Sequence, residues 1–344
     1  MEPSDLERIG KKGLQVTRMG VGGTGFGNLY RATSDEDART TIAAAYDTGI
    51  RYFDTAPLYG LGLSERRLGE GLSAYDRDSV VISSKVGRLL EPRSPDEPLE
   101  GIYADVPDLK PVYDFTAGGV RQSIQASLER LQTNRLDIVL VHDPDESVSN
   151  DPDADPYSRS HFDDVMSNIY PVLDQMRRDG VVGAIGIGMN QWQMLCDFAT
   201  AGDWDCFLLA GRYTLLKQDS LDELLPLCVE EDVRIILGGP YNSGILATGA
   251  APGAKFNYAE ASEEMLASVR QIETVCARHN VPLQAAALQF PLGHPAVATV
   301  IPGARSPEEL TSNVGFLRTV IPPAFWEELV DEGVIREDAP LPTS

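Results

Sequence analysis

Short apolar runs rich in β-branched residues recur along this chain, each followed by a stretch with helical spacing. The runs are MGVGG (19–23), IRYFDTA (50–56), VVISSK (80–85), LDIVLVH (136–142), AIGIGM (184–189), CFLLA (206–210), RIILGG (234–239) and AVATVIP (296–302). Segment 34–49 opens on Ser34 and Glu36 and closes on Gly49, the start and stop signals of a helix. In 118–131, Val120, Ile124, Leu128 and Leu131 form one stripe. Segment 158–180 ends on Arg177, Arg178 and Gly180, as a helix C-terminus should. Segments 221–232, 262–280 and 306–317 continue the theme. Strands alternating with helices imply βαβ units and parallel pairing. Eight such units close into a (β/α)8 barrel or lie open as a doubly wound sheet. Two short segments around GKKG (10–13) predict an N-terminal hairpin. Segment 322–335 predicts an extra C-terminal helix packed on the barrel. No linker or composition shift divides the chain, so one domain over 1–344 is expected. Two loops stand out, 86–117 and 143–160, both rich in Pro and Asp. Loops that long serve a site or are disordered, and both follow a strand that ends in a polar residue.

Charge narrows the partners. The 344 residues carry 29 basic and 52 acidic side chains, a net charge of −23. Nonspecific nucleic-acid binding needs Lys and Arg against phosphates, and anionic membrane surfaces repel such a chain. Neither partner is expected. Cys196, Cys206, Cys228 and Cys276 are widely spaced and form no C-x-x-C pair, which suits a reduced compartment. His142, His161, His279 and His294 form no H-x-x-x-H pair, so no metal is expected. The polar start MEPSDLERIGKK has no apolar core of a signal peptide, and no run approaches the roughly 20 apolar residues of a membrane span. A cytoplasmic protein is expected. No exposed apolar stripe marks a subunit interface.

Four residues at strand ends carry the candidate chemistry. They are Asp54 and Tyr59 in FDTAPLYG, Lys85 in ISSKVG and His142 in VLVHDPD. Enzymes built on (β/α)8 barrels place their chemistry on the loops that follow the strands. A tyrosine has an ordinary pKa of about 10 and is a poor base near neutrality. A Lys ammonium within reach favours the phenolate, and an Asp paired with that Lys holds it in place. A His beside the Tyr donates to a substrate oxygen and orients it. Those roles suit reversible hydride transfer, whose carrier must be a cofactor. Singly, each has a plainer reading: a turn residue for Asp54, a half-buried aromatic for Tyr59, a buried histidine for His142. Lys85 is the oddest, because a Lys ending a buried strand needs a partner.

The stretches FDTAPLYGLGLSERRLGEGL (53–72), ISSKVG (82–87), LDIVLVHDPD (136–145) and VIPGARSPEELTSNVG (300–315) resemble the aldo-keto reductases. The resemblance runs from the hairpin to near Arg318. It implies a (β/α)8 barrel that binds a nicotinamide dinucleotide in extended form. By the same resemblance Tyr59 is the general acid/base, Lys85 its pKa-lowering partner, Asp54 the partner of Lys85, and His142 the carbonyl-orienting donor.

The resemblance also implies a cofactor path. GVGGTG (20–25) matches G-x-G-x-x-G, but no helix opens directly after it, against a Rossmann reading. In the barrel it is the loop after the first strand, where Gly23 and Thr24 approach the nicotinamide ribose. Asn190 resembles the residue that bonds the carboxamide, with Met189 where Ser is usual. Gly239, Tyr241 and Ser243 in GGPYNSGIL resemble the pyrophosphate loop. A stacking Tyr near Gly238 is missing, with Tyr241 or Tyr213 as replacements. After the sixth strand, AGRYTLL lacks the family's Gln or Asn. Gly303, Arg305, Glu309 and Asn313 stand at the adenosine end. Glu309 favours a free 2′-hydroxyl and Arg305 a 2′-phosphate, so NAD is expected ahead of NADP.

PLYGLGLSERRLG, AGRYTLL and GGPYNSGIL resemble the branch that holds D-threo-aldose 1-dehydrogenases (oxidisers of L-fucose, L-galactose and D-arabinose) and pyridoxal 4-dehydrogenase. Both chemistries oxidise a cyclic hemiacetal carbon to a lactone. Asn28, Arg88, Tyr113, Trp192 and Arg212 are the candidate substrate contacts on mouth loops. The other readings are a general aldehyde or ketone reductase and a non-catalytic cofactor-binding regulatory subunit.

Overall fold

The computed structural model of the chain describes residues 1–94, 96–98, 101–145 and 160–343. Most of the predicted 143–160 loop therefore lies outside the described residues. An antiparallel hairpin comes first, β1 (Leu6–Ile9) against β2 (Leu14–Thr17). Eight parallel strands follow in ring order: β3 (Val21–Gly22), β4 (Tyr52–Asp54), β5 (Val81–Val86), β8 (Ile138–His142), β9 (Ala184–Met189), β10 (Cys206–Ala210), β11 (Arg234–Gly238) and β14 (Val297–Ile301). Two short ribbons interrupt this order. They are β6 (Arg88–Pro92) with β7 (Leu109–Tyr113), and β12 (Lys255–Phe256) with β13 (Ala259–Glu260). The ring closes where Gly20 N–H donates to Val300 O at 2.9 Å and Gly22 N–H to Pro302 O at 3.1 Å. The open sheet is thereby excluded, and the (β/α)8 barrel stands.

Side-chain alternation sorts each strand. Tyr52, Ile138, Leu140, Ala184, Cys206, Leu208, Ile236 and Ala298 pack together with Ile9 and Val16 of the hairpin. That cluster fills the barrel and its N-terminal end. Their neighbours Phe53, Val139, Val141, Ile185, Ile187, Phe207 and Leu209 face the helical shell. Burying one such aliphatic side chain stabilises by about 1.5–3 kcal/mol.

The helix boundaries follow the capping signals. Ser34, Thr116, Ser262 and Ser306 each accept a backbone N–H at the start of Asp35–Asp47, Ala117–Leu131, Glu263–His279 and Pro307–Arg318. Segment 158–180 is less regular than its periodicity predicts. A π turn at Val165–Ile169 precedes Tyr170–Arg178, next to Pro171, whose ring clashes with an α-helical turn before it. Segment 221–232 narrows to Leu224–Glu230, and the C-terminal helix is Pro323–Asp331.

Helices Leu63–Leu72, Trp192–Ala201 and Leu283–Gln289 were not anticipated. The last buries Leu283, Ala285, Ala286, Ala287 and Leu288, leaving no polar face to reveal a period. Leu63–Leu72 buries Glu65 and Arg67 among its apolar residues, which hides its stripe. Loop 86–117, read as irregular, contains the β6–β7 ribbon.

Candidate active site

Alternation on the barrel strands builds the site. Tyr52 and Asp54 share the inward parity of β4, Ser83 and Lys85 that of β5, and Ile138, Leu140 and His142 that of β8. The apolar members fill the barrel, and the last inward residue of each strand arrives at the C-terminal mouth. Lys85 Nζ lies 2.8 Å from both Asp54 carboxylate oxygens and 2.9 Å from Thr55 O. Ser83 Oγ donates to Asp54 Oδ1 at 2.7 Å and lies 2.9 Å from the Tyr52 hydroxyl. The buried lysine therefore has its partner, and the carboxylate is held from a second side.

Tyr59 sits on the turn after β4. Its carbonyl accepts from Ser64 N–H of helix Leu63–Leu72 at 3.1 Å. Gly27 lies against that turn so closely that a Cβ there would come within 2.6 Å of Tyr59 C. The Tyr59 ring meets the His142 ring edge-on, centroids 5.7 Å apart at 82°. Lys85 Nζ stands 4.8 Å from the Tyr59 ring centroid. The structure thus brings all four strand-end residues to one point.

Electrostatics set the resting charge states of the site. Burial pushes the Tyr59 phenol well above its ordinary value, and the Asp54 charge adds to this. The Lys85 ammonium directs its hydrogens to Asp54 and Thr55, and the carboxylate offsets its charge. Tyr59 is therefore a neutral phenol in the free protein, poised to donate. Burial, reinforced by Arg88 and Lys85, holds His142 well below the ordinary imidazole range. His142 is neutral, so its 3.4 Å approach to Asp143 Oδ2 is not an ion pair.

From these residues a continuous cleft of about 1540 Å³ crosses the mouth to Glu309. That exceeds the ~300–1000 Å³ of a common small-molecule pocket and leaves room for two occupants. Thr24, Asn190, Gly239, Tyr241 and Ser243 line it in turn, then Gly303, Arg305, Glu309 and Asn313. Gly23 stands just behind the wall. Its N–H donates to Asp54 O at 2.8 Å, and a Cβ there would come within 2.6 Å of that oxygen. At the far end Arg305 and Arg31 stand near the capped N-terminus of helix Pro307–Arg318, a setting that suits phosphate groups. The residues present therefore fit a dinucleotide. The Tyr241 hydroxyl donates to Asn313 Oδ1 at 2.7 Å, and Glu309 Oε2 accepts Arg305 N–H at 2.9 Å. Tyr213 is fully buried against Phe290 and His294 and does not reach the cleft.

The substrate candidates divide. Arg212 lines the cleft and donates to Asn257 Oδ1 at 2.9 Å. The other four do not line it. Asn28 is buried in a left-handed turn, where its Oδ1 accepts from Thr33 N–H at 2.9 Å and Arg67 Nη1 at 2.8 Å. It fastens the loop that carries Tyr30. Arg88 is buried behind Asp143, to which it donates at 3.0 Å. Tyr113 stacks on Phe115, and Trp192 packs on the hydrophobic core. A polar residue on a mouth loop has no preferred direction until the loop folds.

The walls above Tyr59 come instead from Tyr30, Tyr103 and Tyr258, none of them anticipated. Tyr30 N–H donates to Ile102 O at 2.7 Å, which stitches two of these loops together. Lys255 Nζ lies 4.0 Å above the Tyr30 ring and ties in the β12–β13 ribbon. Aromatics inside polar loops were the available signal. Among the described residues no cluster suits a metal, and no helix is long and apolar enough to cross a membrane.

A profile of the aldo/keto reductase family matches residues 18–332. The chain belongs to the aldo/keto reductase family. Members of this family are oxidoreductases that use nicotinamide cofactors. The chain is 40% identical to a D-threo-aldose 1-dehydrogenase of a Pseudomonas species, over 94% of this chain and 96% of that one. It is 37% identical to pyridoxal 4-dehydrogenase of Microbacterium luteolum, over 97% and 99%. L-galactose dehydrogenase of Arabidopsis thaliana is 27% identical over 91% and 88%. Among solved structures, an aldo-keto reductase of Bacillus halodurans superposes with a TM-score of 0.72 at 20% identity, covering 96% of each chain. This aldo/keto reductase thus shares the fold of that enzyme, and its sequence is similar to a D-threo-aldose 1-dehydrogenase and a pyridoxal 4-dehydrogenase.

Proposed function

We propose that this enzyme oxidises an aldose at C1 to the lactone, with Asp54, Tyr59, Lys85 and His142 as its catalytic group. The observation that carries the reading is the convergence of buried Asp54, Lys85 and His142 with half-buried Tyr59 at one end of a cleft long enough for a dinucleotide and a sugar. When bound, the nicotinamide supplies the hydride acceptor. The sugar's C1–H bond breaks with its electron pair, the C1 hydroxyl loses its proton, and a carbonyl forms at C1. The Tyr59 phenol first gives its own proton to solvent, and its oxygen then takes the C1 hydroxyl proton. His142, neutral, holds the C1 oxygen. Lys85, anchored by Asp54, fixes the polar floor beneath the phenol. Because burial keeps Tyr59 protonated, oxidation gains with rising pH and the reverse reduction loses.

Gly23, Thr24, Asn190, Gly239, Tyr241, Ser243, Gly303, Arg305, Glu309 and Asn313 form the dinucleotide path in this reading. NAD is the proposed cofactor, on the carboxylate of Glu309 at the adenosine end. The four cysteines, buried and free, suit a reducing compartment, and we place the enzyme in the cytoplasm. The test is reduced-cofactor formation at 340 nm with NAD or NADP and L-fucose, L-galactose or D-arabinose. Turnover of an aldose with NAD is expected. Silence on all aldoses, with NADPH-dependent reduction of simple aldehydes, overturns the reading. The aromatic walls of Tyr30, Tyr103 and Tyr258 favour a second reading, a flat pyridoxal hemiacetal, which the same assay with pyridoxal decides.

A further inference from the structure

Asp143 follows His142 directly and lines the cleft beside it. Its backbone is left-handed, φ 43°, with its N–H donating to Gly188 O at 2.8 Å. Few residue types other than glycine adopt that conformation, and aspartate is one of them. Observed strain of this kind at a cleft points to a functional demand. The turn brings the carboxylate back beside the proposed reacting centre. Asp143 Oδ2 stands 3.4 Å from His142 Nε2 and accepts Arg88 Nη2 at 3.0 Å. The distance to the neutral imidazole is long for a hydrogen bond, so His142 keeps its donor for substrate. Arg88, buried behind the carboxylate, fixes it in position and supports its charge.

We propose that Asp143 is a specificity-determining residue whose carboxylate accepts a hydrogen bond from the hydroxyl on the carbon next to the one oxidised. The inference rests on the aldose reading above. In a sugar ring the oxygens on adjacent carbons lie close to one another. With His142 on the C1 oxygen, a 2-hydroxyl beside that oxygen comes within reach of Asp143 Oδ2, 3.4 Å from His142 Nε2. A carboxylate accepts about four hydrogen bonds, so Arg88 and a hydroxyl are held together. A site built to bind a hydroxyl rejects the analogue that lacks it, because its polar group is then left unmatched.

The experiment compares kcat/KM for D-arabinose and its 2-deoxy counterpart in the wild type and in Asp143→Ala. The wild type is expected to prefer D-arabinose by at least about 10-fold, the scale of a hydrogen bond to a charged group. Asp143→Ala is expected to lower kcat/KM for D-arabinose by about 10- to 100-fold and to change that for the 2-deoxy sugar less than about 3-fold. Equal kcat/KM for the two sugars in the wild type overturns the inference and leaves the aldose reading intact. So does an equal loss on both sugars in the variant, which makes Asp143 a support of His142 alone. Wild-type silence on D-arabinose, L-fucose and L-galactose alike overturns the aldose reading and this inference together; if only D-arabinose is silent, the same comparison is made with L-galactose and its 2-deoxy counterpart. If Asp143→Ala fails to fold, the wild-type ratio decides.

Discussion

The two ends of the barrel are built by the same alternation and hold opposite chemistry. At the N-terminal end Ile9 and Val16 of the hairpin cover Ile138, Ala184 and Cys206, and the inward positions are apolar. At the C-terminal end the same parity delivers Asp54, Lys85 and His142, buried and polar. One end lowers the free energy of the fold. The other holds charge out of water, which is tolerated only because Lys85, Asp54, Ser83 and Thr55 satisfy one another. A (β/α)8 barrel thus separates stability from chemistry along its axis.

Substitutions at the two ends should separate in the same way. The largest expected effect is at the mouth: Tyr59→Phe should lower kcat by about 10²- to 10⁴-fold. Its thermal midpoint should stay close to that of the wild type; near-normal turnover would remove Tyr59 from its role. At the opposite end Ile138→Ala should destabilise the fold by about 2–5 kcal/mol in chemical denaturation. Its kcat/KM should match the wild type at a temperature where both are folded. A kinetic defect there would break the separation.

Ser83→Ala sharpens the comparison within the mouth. It removes a donor from Asp54 and a partner from the Tyr52 hydroxyl, at about 1–3 kcal/mol of stability. The pH profile of kcat should shift as well, since Asp54 positions Lys85 beneath Tyr59. An unchanged profile would make Ser83 a fold residue alone.

The smallest effect is a dependence of stability on pH. Burial lowers His294 to about 4 and holds His142 well below its usual range. The unfolded chain then binds more protons than the folded one below about pH 6.5. Stability should fall as pH drops through that point, and the His294 contribution should level off near 4. His294→Gln should flatten this slope in denaturation curves between those limits; an unchanged slope would show that His294 does not contribute.

The difference between the two ends also shows which residues were legible in advance. Asp54, Lys85 and His142 could be placed because each ends a strand whose period of two assigns its direction. Tyr59 was placed by its motif. Asn28, Arg88, Tyr113 and Trp192 carried no such directional signal, and the structure turns all four away from the cleft wall. Helix Leu283–Gln289 escaped because an apolar segment without a polar face shows no period. Ser83 looked like any residue of a buried strand until Tyr52 and Asp54 came to either side of it.

Local pattern was enough to predict eight strands, most of the helices and the strand ends that carry the polar quartet, while the barrel was implied by the family resemblance. Backbone periodicity is a short-range property, and it assigns an inward face wherever a strand is regular. The closure of Gly20 and Gly22 onto Val300 and Pro302, the meeting of Tyr30 with Lys255, and the return of Asp143 beside His142 were decided by the tertiary structure. Each joins groups whose relative direction depends on loops, where no repeating pattern constrains the chain. The neutral state of Tyr59 belongs with them, because burial and the pairing of Lys85 with Asp54 exist only once the barrel is closed.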